Sequence, residues 1–160
     1  MIRKSLNRGF TLVELLIVLA IISVLAAIAI PQLLKSKSAA NEKGVISSMR
    51  GVNGGQALQL SESGSFATLE ELRTRGYVDI GAVLTPAAAA PGTVVRFEKS
   101  GYDWEYVTLT NRQTWNIKAK PKEYNVTGKN AFYANESGVI RFADGTGGTF
   151  TAGPSSPALQ

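Results

Sequence analysis

The feature that most constrains this chain is an apolar run between positions 10 and 34, where 20 of 25 residues are apolar. As a helix, 25 residues extend about 37 Å, which is enough to cross a hydrocarbon core of about 30 Å. We therefore expect the run to span a membrane rather than to form part of a soluble core. The apolar content of the whole chain, 44%, averages this run with a more polar remainder.

The residues before the run predict its orientation. Arg3, Lys4 and Arg8 precede it without any acidic residue, and such a basic flank stays in the cytoplasm. The chain after residue 35 is then expected outside. Without these three cations, 14 of the 17 Lys and Arg residues remain. The chain has 12 acidic residues, so the net charge falls from +5 to +2. The basic balance thus indicates membrane topology rather than a nucleic-acid partner.

One acidic residue, Glu14, interrupts the apolar run. It is the only charged residue between Arg8 and Lys35. A carboxylate at the centre of a bilayer costs about 2.5–3.5 kcal/mol on insertion scales, and less near the interface. Glu14 is therefore a candidate functional residue, and the alternative is a side chain that reaches the lipid headgroups.

The segment Gly9-Phe10-Thr11-Leu12-Val13-Glu14, which follows the basic leader, resembles the class III signal of type IV pilins and pseudopilins. The resemblance implies that a prepilin peptidase cuts between Gly9 and Phe10 and that Phe10 is then N-methylated. It also implies that Glu14 pairs with the N-terminal ammonium of a neighbouring subunit. Pro31 matches the family's helix-breaking proline.

The resemblance implies that the chain is a structural subunit that polymerises through its N-terminal helix. The expected partners are other copies of the chain, the prepilin peptidase, the pilus or secretion assembly machinery and, before assembly, the inner membrane. The precursor would place its head in the periplasm, and the product would be an extracellular pilus. A head role in adhesion, motility or DNA uptake is expected. The alternative is a type II secretion pseudopilin, which forms a periplasmic pseudopilus.

Two other interpretations of the N-terminus remain open. An ordinary secretory signal would be cut after Ala27-Ile28-Ala29, a small-x-small site, and would release a soluble domain. A plain membrane anchor would form no fibre. An acid within the apolar stretch and the continuation of that stretch past Ala29 argue against the secretory signal.

Beyond Pro31 the sequence predicts that the helix continues to about residue 61. Val45, Met49 and Val52 recur at helical spacing on one side, with Leu34 before them. Pro31 removes one backbone hydrogen bond, so a kink or local melting is expected over residues 27–31. The glycines between Gly51 and Gly55 leave an alternative, in which the helix ends near residue 53.

The fold class predicted is α+β, with the long helix packed on a C-terminal antiparallel sheet of four or five strands. We expect a leader of residues 1–9, a stem of residues 10–34 and a head of residues 35–160. Within the head, a loop region of residues 62–92 includes a short helix capped by Thr68 and Glu71 and closed by Gly76. The expected strands occupy residues 93–99, 102–110, 114–120, 131–133 and 139–142, and a flexible tail of residues 143–160 lies along the surface or is partly mobile.

The chain has no His and no Cys, which removes the commonest general base, thiol nucleophiles and disulfides. We predict no enzyme activity and a head held by strand pairing and packing. Asp103 and Glu105 alternate with aromatic residues, which predicts a solvated strand face rather than an acid pair for catalysis. A basic line of Lys118, Lys120 and Lys122 lies near Tyr124 and could contact nucleic acid, but a charged sheet edge is the favoured interpretation.

Two other kinds of motif occur near the C-terminus. The glycine-rich segment after Asp144 carries a single acid, too few for a calcium site, so we predict no metal and no cofactor. Asn125-Val126-Thr127 and Asn135-Glu136-Ser137 match the glycosylation sequon, and Glu123 precedes the first at the position that bacterial N-glycosylation prefers. Because such short motifs are frequent by chance, modification at Asn125 or Asn135 is not predicted.

Overall fold

The structure is a computed structural model that describes residues 10–80, 82–83, 90–148 and 150–159. It divides into two compact units, Met1–Leu34 and Lys35–Gln160. The predicted leader, residues 1–9, lies outside the described residues.

One helix, α1 (Leu12–Ser63), contains 52 residues and contributes to both units. Its end at Ser63 confirms the predicted continuation to about residue 61 and shows that the alternative end near residue 53 is wrong. Pro31 lies inside the helix, and residues 27–31 are helical throughout, so the expected local melting is absent there, whereas the alternative of a kink stays a prediction. A proline removes only one hydrogen bond of the ladder, and the helix-forming residues on both sides maintain the helix.

In the second unit, α1 buries one face against the rest of the head. Val45, Met49 and Val52 are buried, as the spacing predicts, and Gln56 and Gln59 extend the same face. Leu34 belongs to the first unit and is exposed. The buried stripe alternates steps of four and three residues, so it follows one side of the helix.

Gly55 allows a close approach between α1 and the segment that follows it. A Cβ atom built at Gly55 would lie 2.8 Å from Cβ of Tyr77 and 3.0 Å from Cδ2 of Leu72. Gly55 therefore packs against the short helix α2 (Leu69–Thr74) and the loop after it.

Helix α2 begins as predicted. The Thr68 side chain accepts a hydrogen bond from the Glu71 backbone N–H, and the Thr68 backbone N–H donates to the Glu71 carboxylate at 2.8 Å. This reciprocal pair is a capping box. Gly76 follows the C-cap residue with a φ of 76°, a left-handed conformation that glycine adopts without strain.

The sheet is an antiparallel meander in which each strand pairs with the next one along the chain. Its strands are β1 (Ala82–Val83), β2 (Val95–Lys99), β3 (Tyr102–Thr108), β4 (Trp115–Pro121), β5 (Asn130–Asn135) and β6 (Arg141–Asp144). The α+β class and the antiparallel sheet are confirmed. The five longer strands match the predicted number, and β1 adds a two-residue strand at the edge beside β2.

The inner face of the sheet is aromatic. Tyr102, Trp104 and Tyr106 are buried on alternate positions of β3, and Trp115 is buried at the start of β4. The rings of Trp104 and Phe97 stack at a centroid distance of 5.4 Å. The alternation predicted from the sequence therefore positions the core between α1 and the sheet.

The C-terminal segment lies along β6. The Phe142 backbone N–H donates to the Pro157 carbonyl at 3.0 Å, and the Leu159 N–H donates to the Ile140 carbonyl at 2.7 Å. The Arg141 guanidinium also donates to the Ser156 carbonyl. These hydrogen bonds hold the end of a head that contains no cysteine.

A buried polar network joins α1 to β3 through the loop before α2. The Gln56 side chain donates to the Ala67 carbonyl at 2.9 Å and accepts from the Ala67 N–H at 2.9 Å. Tyr106 and Thr108 donate their hydroxyl protons to the same carbonyl at 2.6 and 2.8 Å. Gln56 also donates to the Tyr106 hydroxyl. Polar groups at this depth are tolerated because they are hydrogen-bonded to one another.

We expect the head to lose stability in alkali because of two buried tyrosines. Burial raises the pKa of Tyr106, and burial followed by the Glu42 charge raises the pKa of Tyr102. Their folded-state pKa values exceed the unfolded value of about 10, so the stabilisation is complete below about pH 10 and is lost as the pH rises further. Urea unfolding between about pH 8 and 11 measures this. Tyr106→Phe should have a shallower pH slope than the parent, and equal slopes would contradict the assignment.

Candidate processing and assembly site

The first turn of α1 is fixed by Thr11 and Glu14. The Thr11 backbone N–H donates to Oε2 of Glu14 at 2.9 Å, and the Thr11 hydroxyl donates to the same oxygen at 2.8 Å. The Glu14 N–H donates back to the Thr11 hydroxyl at 3.2 Å. This is a capping box with Thr11 immediately before the first helical residue, Leu12.

The capping box is a functional detail that the sequence analysis missed. The signal was available, because Thr11-Leu12-Val13-Glu14 has the S/T-x-x-E spacing of that motif. It gives Glu14 a role in starting the helix, separate from any role in contacting another subunit. A negative charge in the first turn also interacts favourably with the helix dipole.

The two oxygens of the Glu14 carboxylate are used unequally. Both Thr11 donors contact Oε2, and among the described residues no hydrogen bond reaches Oε1. A carboxylate can accept several hydrogen bonds, so Oε1 retains capacity for another donor. Such a donor would be cationic if Glu14 were enclosed by apolar helices, since a buried charge needs a compensating partner.

The rest of the stem presents apolar side chains on all sides. From Phe10 to Leu34 every residue is exposed except the partly covered Ala26. The stretch has a mean hydropathy of 3.0 over its most apolar 18 residues, enough by length and composition to cross a membrane. Ser23 satisfies its hydroxyl within the helix by donating to the Leu19 carbonyl at 2.7 Å. A helix that is apolar all round is stable only when lipid or other helices cover it.

The remaining predicted site residues lie at the ends of the stem. Phe10 precedes the helix and is 74% exposed, whereas Gly9 lies outside the described residues, so the bond between them is not described. Pro31 lies within α1, three residues before the end of the first unit. The structure brings Glu14 close to Thr11 at the start of α1, and Pro31 occupies a different part of the stem.

The N-terminal region matches a known protein-family model. Residues 4–30 match the prokaryotic N-terminal methylation motif. The matched residues include Gly9, Phe10 and Glu14, and they end one residue before Pro31.

Three curated proteins extend the match. Competence protein ComGC of Bacillus subtilis is 40% identical over 78 residues, which are 48% of this chain and 80% of that protein. Competence protein ComGC of Streptococcus pneumoniae is 38% identical over 77 residues, which are 48% of this chain and 71% of that protein. The type IV major fimbrial protein FimA of Dichelobacter nodosus is 76% identical over 29 residues, which are 18% of this chain and 19% of that protein.

The chain belongs to the type IV pilin family. It is therefore a pilin-like filament subunit, as the resemblance implied. The motif match and the apolar helix fit a membrane-anchored precursor that is processed and then assembled with other copies of itself.

The outer face of the pilin head carries charges of both signs. Arg96 on β2 is opposite Glu105 on β3, and Glu105 is opposite Lys118 on β4. Arg96 and Glu105 form an ion pair at 2.9 Å. Two further pairs, Lys120 with Asp103 at 3.9 Å and Lys122 with Glu98 at 2.5 Å, lie on the same side. The basic line predicted from the sequence is thus interleaved with acids, which weakens its attraction for nucleic acid.

The other motifs of this pilin head have local partners. Asp144 accepts a hydrogen bond from the Thr146 backbone N–H at 2.9 Å, and the described residues contain no group of three acids that could hold a metal. Asn125 is exposed at a φ of 62° in the loop between β4 and β5. Asn135 accepts from the Ser137 hydroxyl at 2.7 Å in the turn after β5. None of these contacts assigns a modification or a ligand.

Proposed function

We propose that this chain is the structural subunit of a type IV pilus-like filament that polymerises through residues 10–34. The observation that carries the proposal is the motif match over residues 4–30 on a helix whose apolar side chains are uncovered. In lipid the hydrophobic effect does not favour one helix partner over another, because lipid tails are as apolar as leucine. Packing between stems and the Glu14 charge must therefore supply the specificity of assembly.

Processing is proposed at the bond between Gly9 and Phe10. Hydrolysis there removes Arg3, Lys4 and Arg8 with the leader and leaves an ammonium group on Phe10. Methylation replaces one hydrogen on that nitrogen, and the group keeps its positive charge. The cation needed to compensate a carboxylate in an apolar bundle is therefore created by the cut itself.

The geometry of Glu14 supports a contact with the Phe10 ammonium of a neighbouring subunit. Thr11 occupies Oε2 and positions the carboxylate at the start of the helix, while Oε1 accepts no hydrogen bond from the described residues. A charge-assisted bond from an ammonium to Oε1 would neutralise both groups. Because the two groups are four residues apart along each stem, the pair would also define the axial register between subunits.

The mature N-terminus tests the processing proposal. We expect mass spectrometry of the assembled protein to find a chain that begins at Phe10 and carries one added methyl group. A start at Ile30 would show secretory cleavage after Ala29 instead, and an intact Met1 would show a plain membrane anchor. Either of those two results would contradict the proposal.

The location of the filament decides between a pilus and a type II secretion pseudopilus. Electron microscopy of fibres sheared from cells tests this directly, and we expect long surface filaments that contain the chain. Assembly restricted to the periplasm would instead assign the chain to a secretion pseudopilus. In both cases the work of the chain is structural, and the head supplies its surface properties.

A further inference from the structure

A group of exposed cations follows the stem along α1. Lys35, Lys37, Lys43 and Arg50 are all exposed, and no ion pair within 4.0 Å involves them among the described residues. We call Lys35, Lys37 and Lys43 the basic collar. Its first member comes directly after Leu34, the last residue of the apolar run.

The one acid of this part of the helix, Glu42, is directed into the head. Its Oε1 accepts from the backbone N–H of Lys129 at 2.7 Å and of Asn130 at 3.1 Å, and its Oε2 accepts from the Asn130 side chain at 3.1 Å. The sequence places Glu42 next to Lys43, where it could neutralise the collar. The structure shows that Glu42 instead holds the loop before β5, so the collar keeps its charge.

Elsewhere in the head, many cations are neutralised by acids. Among the described residues the cations with an ion-pair partner are Arg73, Arg75, Arg96, Lys99, Arg112, Lys120 and Lys122. None of these belongs to α1, so the basic collar differs from the cations that the head uses in its own ion pairs.

We propose that the basic collar binds the phosphates of anionic phospholipids while the precursor is anchored in the membrane. The inference rests on the proposed membrane insertion of residues 10–34. At 1.5 Å per residue, Lys35 and Lys37 lie within about 5 Å of Leu34 along the helix, and Lys43 within about 14 Å. Lysines directly beside an apolar span extend their ammonium groups to the headgroups, and an anionic lipid surface attracts them.

Lipid is favoured over nucleic acid because of where the collar lies. It starts at the end of a membrane-length apolar run, where headgroups are adjacent to any inserted helix. Affinity for duplex DNA rises with the number of phosphates that the cations neutralise, and the collar supplies only three lysines. On the outer sheet face of this head, Lys118, Lys120 and Lys122 are interleaved with acids, so that face is not a strong alternative site for DNA either.

The test uses the full chain inserted in nanodiscs that contain equal amounts of phosphatidylcholine and phosphatidylglycerol. After transfer to a mild detergent, mass spectrometry identifies the lipids that stay bound. We expect phosphatidylglycerol to be enriched on the order of fivefold in the parent and in Arg50→Gln, because Arg50 lies about 24 Å beyond Leu34 along the helix. The variant K35Q/K37Q/K43Q should lose at least half of this enrichment.

The leader cations Arg3, Lys4 and Arg8 are the same in all variants, so any difference between variants reports the collar. In the parent, raising NaCl to 1 M should remove the enrichment, because the screening length falls to about 3 Å. This measurement tests whether the binding is electrostatic, and the comparison of the variants assigns it to the collar, whose exposed side chains form no ion pair among the described residues that the substitutions could break. Unchanged enrichment in the triple variant, or equal loss in Arg50→Gln, would overturn the proposal.

Two further outcomes are distinguishable. A chain that fails to enter nanodiscs of any composition would contradict membrane insertion itself, not the lipid preference. Binding of a labelled DNA duplex that is lost in K35Q/K37Q/K43Q, without any preference for phosphatidylglycerol, would assign the collar to nucleic acid and overturn the lipid proposal.

Discussion

Glu14→Gln is expected to abolish filament assembly while leaving processing and the start of the helix intact. Glutamine at the third helical position still completes a capping box with Thr11, but it carries no charge. The ammonium of the neighbouring Phe10 would then be enclosed without a counter-charge. Removing one partner of a buried ion pair costs about 3–5 kcal/mol, which corresponds to a factor on the order of a hundred or more in an equilibrium constant. Filament yield after shearing measures the effect.

Two matched variants separate the charge of Glu14 from its capping role. Thr11→Val keeps the carboxylate but removes the side-chain cap, which costs about 1 kcal/mol of helix stability and should reduce yield only slightly. Glu14→Ala removes both functions and should be no better than Glu14→Gln. In Glu14→Gln, Thr11→Val and Glu14→Ala alike, mass spectrometry should find a chain that begins at Phe10 and carries the added methyl group. Normal filaments from Glu14→Gln would contradict the pairing role.

Gln56→Leu is expected to destabilise the head by about 2–3 kcal/mol, since it leaves buried polar groups without partners. The Ala67 N–H loses its acceptor, and the Ala67 carbonyl keeps only the two hydroxyl donors from Tyr106 and Thr108. Leucine has a similar volume, so a cavity does not dominate the change. Urea unfolding of the full chain in mild detergent measures it. The fluorescence of Trp104 and Trp115 reports the head, because both side chains are buried in its core.

Gln59→Leu is the matched control, because Gln59 is buried three residues further along the same face of α1. Its Nε2 donates to the Ser63 hydroxyl within the helix, but its Oε1 is buried without a hydrogen-bond partner. Replacing such a group with an apolar one is expected to be neutral or stabilising. Equal destabilisation by both leucine variants would show that the Gln56 network contributes nothing specific.

The stem was largely predictable because its signal is local. An apolar run, one acid and a preceding Gly-Phe pair are readable without knowledge of the fold. The period-two pattern of Tyr102, Trp104 and Tyr106 likewise predicted both the strand and its buried face. At Pro31 the same local reasoning predicted a kink or local melting, and the helix continues through the proline, so melting is absent while the kink stays a prediction.

What the sequence could not provide depends on contacts between distant residues. Glu42 meets the backbone of Lys129 and Asn130, 87 and 88 positions away, and nothing in its neighbourhood predicts this. Gln56 appears polar and exposed in a helical pattern until the loop at Ala67 closes over it. The strand β1 has only two residues and no distinct pattern, so it exists only because β2 is available to pair with it.

The way in which the sheet ends has a consequence for how heads can associate. Ser156, Pro157 and Leu159 cover β6 along one margin, and at the opposite margin the two-residue β1 pairs with Phe97 and Glu98 of β2. Covered margins and very short edge strands disfavour the addition of a strand from another molecule. In the proposed filament, contacts between neighbouring heads would then depend on side chains rather than on added strands. The surface through which heads meet would thus be separate from the apolar stem that is proposed to drive growth.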